Sequence, residues 1–145
     1  MIRKNKLAHP RNPGKPRKKF VDIVVPSYNE AGNIDLLAER VLAQQPPGYH
    51  FRLIFVDDGS SDNSWEVIEG LRAKNPAIKG IKFQRNYGKS AGLNEAFRAA
   101  SGEVVITMDA DLQDSPDEIP GLRKMIVEDG FDLVSGWKKI RYDNT

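Results

Sequence analysis

In the stretch "VVITMDADLQDSP", residues 104 to 116, an apolar run gives way to Asp109, Asp111, Gln113 and Asp114 within six positions. Carboxylates one residue apart where a strand-like run is ending can reach a common ion if the backbone turns between them. Two such carboxylates repel unless a cation or a proton relieves them. Asp109 and Asp111 are therefore candidate ligands of a hard divalent cation, Mg²⁺ or Mn²⁺, with Gln113 adding a neutral oxygen; ions of this kind keep positions open for substrate phosphates. Asp114 or Ser115 is expected instead to cap a helix beginning near Pro116. Twelve aspartates in 145 residues make a bare Asp-x-Asp an event expected about once by chance, so its meaning depends on its setting.

The composition leaves that chemistry to carboxylates. There is no cysteine, which removes disulfide frameworks, thiol catalysis and cysteine zinc sites and suits a reducing compartment. The two histidines, His9 and His50, fall in a polar tail and a turn region, a poor basis for a histidine triad or metal cluster. No apolar stretch approaches the roughly 18 residues needed to cross a bilayer, and the amino terminus lacks the apolar centre of a signal peptide. A soluble or membrane-peripheral protein, on the cytoplasmic side, is expected.

The net charge of +2 hides an asymmetry: residues 1 to 19 hold eight Lys or Arg and no acid, which leaves 14 basic against 20 acidic residues, or −6, for the rest. The tail is rich in Pro, Gly and basic residues and is expected to be disordered. It would be attracted to anionic lipid headgroups at about 1 kcal/mol per basic residue near the surface, or else be a solvated leader without a partner. Nucleic acid is not expected as a partner.

From Phe20 onward apolar runs and helical spacings alternate. "FVDIVVP", "FRLIFV", Ile78 to Phe83, "EVVITM" and "FDLVSGW" read as five strands. Between them "NIDLLAERVLAQQ", Trp65 to about Lys74, "LNEAFRAA" and a segment after Pro116 read as helices. Trp65, Phe83 and Phe97 fit core or helix-packing positions. The alternation predicts an α/β, Rossmann-like fold with a mostly parallel central sheet and helices on both faces. Open parallel sheets bind ligands beyond the carboxyl ends of their strands. "SYNE", "DDGSSD" and "DADLQD" each follow a strand and should meet there.

The first two clusters suit a nucleotide. Tyr28 offers a flat face for a base, and Asp57 or Asp58 could accept from a base N–H or a ribose hydroxyl, although Asp-Gly-Ser is also an ordinary turn. "RNYGKSAG" supplies Arg85, Lys89 and glycine freedom near a helix start, which suits a diphosphate. It is not a Walker loop, and no Gly-x-Gly-x-x-Gly follows the first strand, which weakens kinase-like and dinucleotide readings.

Taken together, "IVVPSYNE", "VDDGSSDNS", "RNYGKSAGLNEAF" and "ITMDADLQDSP" resemble, in order and spacing, a family 2 glycosyltransferase of the GT-A fold, and "DADLQD" is most similar to the dolichol- or polyprenyl-phosphate sugar synthases. The resemblance covers residues 20 to 145, implied to be a catalytic domain of which this is the donor-binding half, incomplete at its C-terminus. It implies that Pro26, Tyr28, Glu30, Asp57, Asp58, Lys89 and Asp109 bind the nucleotide. Asp109, Asp111 and Gln113 are implied to hold a Mg²⁺ or Mn²⁺ ion, and Asp111, Lys138 and Arg141 to act in catalysis, the last two on phosphate. The implied reaction is inverting transfer from a nucleotide sugar, GDP-mannose or a UDP-sugar, to a polyprenyl or dolichyl phosphate. Transfer to a sugar hydroxyl of a polysaccharide is the same-family alternative. A phosphohydrolase using Asp109 as nucleophile would place its Asp-x-Asp after the first strand rather than the fourth. A non-catalytic nucleotide-binding module is the alternative outside enzymes.

Overall fold

The computed structural model describes residues 19–134. Four strands, β1 (Phe20–Ser27), β2 (His50–Asp57), β3 (Ile78–Lys82) and β4 (Val104–Thr107), form one parallel sheet in the order β3-β2-β1-β4. Helices α1 (Ala31–Leu42), α2 (Ser64–Lys74) and α3 (Lys89–Ala99) connect successive strands. A 3₁₀ turn at Pro116–Glu118 leads into α4 (Ile119–Val127). Strand order reverses beside β1, the arrangement that opens a crevice at the carboxyl ends of the strands.

The central strands are apolar on both faces because helices cover both. Val21, Ile23, Val25, Phe51, Leu53 and Phe55 pack in one core with Ile34 and Leu37 of α1, Ile68 of α2 and Ile119 of α4. The alternate residues Val24, Ile54 and Val56 pack with Ala96 and Leu93 of α3 in a second core on the other face. The pairing Val24↔Ile54 and Val24↔Thr107 fixes the register, since a slip of one residue would exchange the two faces. It also aligns Ser27 with Asp57, and Asp57 with Lys82, at the sheet's carboxyl end.

Three expectations are corrected. The predicted fifth strand is not seen in its described part: Phe131–Val134 form no strand, and 135–137 lie outside the described residues. The third helix begins at Lys89, not at Leu93. Gly88, at φ 96°, is its N-cap, and Gly92 is a helical residue lying 3.5 and 3.7 Å (from the position a Cβ would take) from Val56 and Pro26. The glycines of "YGKSAG" thus serve a turn and a close helix–sheet contact rather than a loose loop. Phe97, assigned to packing, is half exposed on α3.

At the end of the sheet opposite the strand-terminal loops, Asp22 is fully buried and receives Arg52 Nε at 2.6 Å and Nη2 at 2.8 Å. The backbone N–H groups of Ser101 and Gly102 also donate to it, at 2.8 and 2.7 Å. One carboxylate thereby ties β1, β2 and the entry to β4. Breaking a buried pair from one side leaves a charge uncompensated and costs roughly 3–5 kcal/mol. Arg52→Met is predicted to lower unfolding stability in urea by about 3 kcal/mol while nucleotide affinity at the far end of the sheet stays within two-fold, roughly experimental error. Two glycines give opposite outcomes. Gly59 has φ 71°, and a Cβ there would stand 2.3 Å from the Arg85 carbonyl carbon, so Gly59→Ala should destabilise by about 2 kcal/mol or more. In α2 nothing lies within 4 Å of a Cβ at Gly70, and Gly70→Ala should stabilise by roughly 0.5–1 kcal/mol in the same unfolding measurement.

Candidate functional site

Three loops leave the carboxyl ends of β1, β2 and β3, and hydrogen bonds lock them to one another. After β1, Asn29 adopts φ 54°, a left-handed conformation that asparagine tolerates better than most residues. Its side-chain oxygen accepts from the N–H groups of Ser61 and Asp62 at 2.8 and 3.3 Å. In return the N–H groups of Asn29 and Glu30 donate to the hydroxyls of Ser60 and Ser64 at 2.9 and 3.1 Å. Asp62, which accepts from Ser64 through both hydroxyl and N–H, is held below the usual carboxylate range chiefly by that hydroxyl. It is therefore ionised at neutral pH.

The second and third loops meet at Asp58. It is buried, and its two carboxylate oxygens accept from the N–H groups of Tyr87 and Gly88 at 2.7 and 3.0 Å. Gly59 leaves room for the Arg85–Asn86 backbone to lie against it. Arg85 stacks 4.9 Å over the Tyr87 ring, whose edge meets Phe83. The result is a fixed start for α3, with the first helical residue, Lys89, facing the cleft.

The fourth loop follows β4. Met108 still bonds to the sheet through Val24, and Asp109 receives a second restraint where its N–H donates to the Asp114 carboxylate at 3.1 Å. Beyond Asp111 the chain turns left-handed at Leu112, φ 64°, a conformation costing about 1 kcal/mol in a non-glycine residue. That turn brings the Gln113 N–H to the Asp111 carboxylate at 3.1 Å.

These segments enclose one open cleft of about 400 Å³, lined by Pro26, Ser27, Tyr28, Glu30, Asp58, Asn86, Gly88, Lys89, Asp109, Ala110 and Asp111. Seven residues singled out from sequence thus share one site: Pro26, Tyr28, Glu30, Asp58, Lys89, Asp109 and Asp111. The exposed Tyr28 ring is accessible to a base. Asp57 lies beneath, 1% exposed, with Oδ1 engaged by the N–H and hydroxyl of Ser60 and Oδ2 buried without a partner. Gln113 is exposed and does not line the cleft, and Lys138 and Arg141 lie outside the described residues. Sequence reasoning missed Asn29 and Asn86; an asparagine between Tyr28 and Glu30 at a strand end was the available signal for a left-handed turn. The expected cap is also displaced: Ser115 holds the N-cap position with no side-chain hydrogen bond to the helix, and Asp114 serves Asp109.

The lining holds four carboxylates, Glu30, Asp58, Asp109 and Asp111, against the single ammonium of Lys89, which is paired with Asp109. Among the described residues no three His, Cys, Asp or Glu side chains converge on one point as a metal cage. The donor set is two carboxylates in an open, negatively charged cleft, with a cation already drawn to one of them. This fits a hard divalent ion that takes its remaining ligands from water and substrate oxygens, and does not fit zinc or a closed calcium cage.

The sequence model of glycosyl transferase family 2 matches residues 22–145. The chain is 39% identical over 127 residues to the undecaprenyl-phosphate 4-deoxy-4-formamido-L-arabinose transferase of Shewanella sediminis, covering 86% of this chain and 38% of that protein. The protein of the same description from Pseudomonas syringae pv. syringae is 40% identical over 87% of this chain and 38% of its own length. The chain thus spans less than half the length of these relatives. Among solved structures, the mannosyltransferase PcManGT of Pyrobaculum calidifontis, in complex with GDP-Man and Mn²⁺, superposes with a TM-score of 0.67 at 28% identity over 78% of this chain and 33% of its own. S. aureus TarS in complex with UDP-GlcNAc gives 0.62 at 27% identity over 73% and 30%. On the family match and the GT-A architecture of its neighbours, the chain belongs to glycosyl transferase family 2.

Proposed function

We propose that the chain is the donor-binding part of an inverting, divalent-metal-dependent transferase that moves a sugar from a nucleotide sugar to a polyprenyl phosphate. The observation that carries this reading is the convergence of Asp109, Asp111 and Lys89 with Tyr28 and Asp58 in one cleft at the carboxyl ends of parallel strands. The acceptor class is supported by the description of the relatives as undecaprenyl-phosphate transferases, and the donor and metal by neighbours in complex with GDP-Man and Mn²⁺ and with UDP-GlcNAc.

In this reading Tyr28 supports the base, Pro26 and Glu30 border it, and Asp58 lines the cleft where base or ribose donors would arrive, while Asp57 stays buried beneath it. Asp109 and Asp111 would hold the metal, with Gln113 swinging in from the rim. An ion held by Asp109 and Asp111 would supply positive charge opposite the departing nucleoside diphosphate. Lys89 adds a positive charge at the start of α3, whose N-terminal end borders the cleft through Gly88 and Lys89. A polyprenyl phosphate oxygen is already anionic at neutral pH, so attack on the anomeric carbon needs no general base. Lys138 and Arg141 are proposed to hold that acceptor phosphate. A sugar hydroxyl would need a carboxylate base instead.

The basic residues 1 to 19 are proposed to draw the protein to the cytoplasmic face of an anionic membrane. Among the described residues no helix is long and apolar enough to cross one. Deleting residues 2 to 19 should reduce pelleting with anionic vesicles at low salt; retention at the level of the intact chain would contradict the tail's role. For the donor site, calorimetric titration with GDP and with UDP, each with and without Mn²⁺, should show binding that requires the metal. Asp111→Asn should weaken it at least ten-fold, on the order of the loss of one charged ligand. Tight binding without metal, or none to either nucleotide, would contradict the proposal.

A further inference from the structure

We infer that Lys89 is a placeholder cation: it holds Asp109 in the ligand-free cleft, competes with the divalent metal for that carboxylate, and passes to the donor's diphosphate when the metal arrives. The inference rests on the reading of the cleft as a metal-dependent donor site.

The backbone at Lys89 is pinned. Gly88 donates to Asp58 at 3.0 Å, Gly92 N–H reaches the Gly88 carbonyl at 3.2 Å, and a Cβ at Gly92 would already touch Val56 at 3.5 Å. Asp109 is pinned separately through its N–H on Asp114. Only the four-carbon stem of Lys89 is free to move, so exchange of its partner needs no loop rearrangement.

Lys89 is also the one cationic side chain in the lining, facing Glu30, Asp58, Asp109 and Asp111. Without a metal its ammonium is what balances the Asp109 charge. With a metal on Asp109, two cations would share one carboxylate a few ångströms apart and repel. The lysine must then move to new negative charge, and a diphosphate beside the metal supplies it.

The pair is built to be exchanged. Lys89 and Asp109 side chains are 60% and 41% exposed, and ion pairs this open contribute a factor of roughly 1.5 to 5 to an equilibrium constant. Such a pair orders the carboxylate and yields to a divalent ion.

The test uses the whole 145-residue chain and Lys89→Met, with Lys89→Arg as the charge-conserving control. Mn²⁺ binding to each protein alone is followed by electron paramagnetic resonance, and GDP and UDP binding at saturating Mn²⁺ by calorimetry. Lys89→Met should bind Mn²⁺ alone about three-fold more tightly, the factor set by an exposed ion pair. It should bind the nucleotide with Mn²⁺ roughly ten-fold more weakly, the loss of one charge-assisted contact. Lys89→Arg should return both values toward the unsubstituted chain. Opposite signs are the mark of exchange, because a merely structural lysine would move both affinities the same way. Equal or weaker Mn²⁺ binding by Lys89→Met overturns the competition, and unchanged nucleotide affinity overturns the transfer to diphosphate. Absence of Mn²⁺ binding by the unsubstituted chain overturns the donor-site reading itself, and this inference with it.

Discussion

Asp58 sits buried at the end of β2 with both carboxylate oxygens given to the N–H groups of Tyr87 and Gly88. A polar group buried in that position without donors would carry an uncompensated desolvation cost, and the two N–H groups would be orphaned without an acceptor. The loop after β3 and the start of α3 are therefore placed by a single residue at the end of the neighbouring strand. Lys89 follows Gly88 directly, so the position of the cleft's ammonium descends from the same contact. Across the cleft, Asn29 does comparable work by receiving the N–H groups of Ser61 and Asp62 and joining the first loop to the second. The floor is thus preorganised before any ligand enters, and polar groups aimed at developing charge are most effective when already fixed.

Stability and chemistry are kept at opposite ends of the sheet. Asp22 and Arg52 draw the lower ends of β1, β2 and the approach to β4 together, while Asp58, Asp109 and Asp111 stand at the upper ends of β2 and β4. Between them lie two apolar cores, one on each face. Strain appears only on the functional side, where Asn29 and Leu112 are the non-glycine residues with positive φ among the described residues. Such conformations persist where surrounding bonds over-determine them, and each here precedes or follows a cleft residue by one position.

Much of this was legible from residue types. The strand and helix alternation follows from apolar runs ended by Pro26 and by acidic or amide clusters, and those clusters do converge. What sequence could not show was the division of labour within each cluster. Asp57 and Asp58 are chemically identical neighbours, yet one is tucked under the Ser60 turn and the other latches a loop from another strand. Asp114 resembles a helix cap and instead holds the Asp109 N–H. Gly88 and Gly92 read as loop freedom, but a left-handed cap and a 3.5 Å contact with Val56 absorb them. The Asp58 latch on Tyr87 and the Gly92 contact with Val56 join segments far apart in sequence, which local periodicity cannot report. The apolar pattern at Phe131–Val134 forms no strand in the described residues.

The proposed metal and nucleotide site draws on loops from four different strands. Paramagnetic broadening of backbone amide resonances by substoichiometric Mn²⁺, recorded with GDP or UDP present, tests it most directly. Joint broadening of Tyr28 to Glu30, Gly88 to Lys89 and Asp109 to Asp111 is the predicted result. Broadening confined to other acidic surfaces, such as Asp62 or Glu69, with those three segments left sharp, would contradict it.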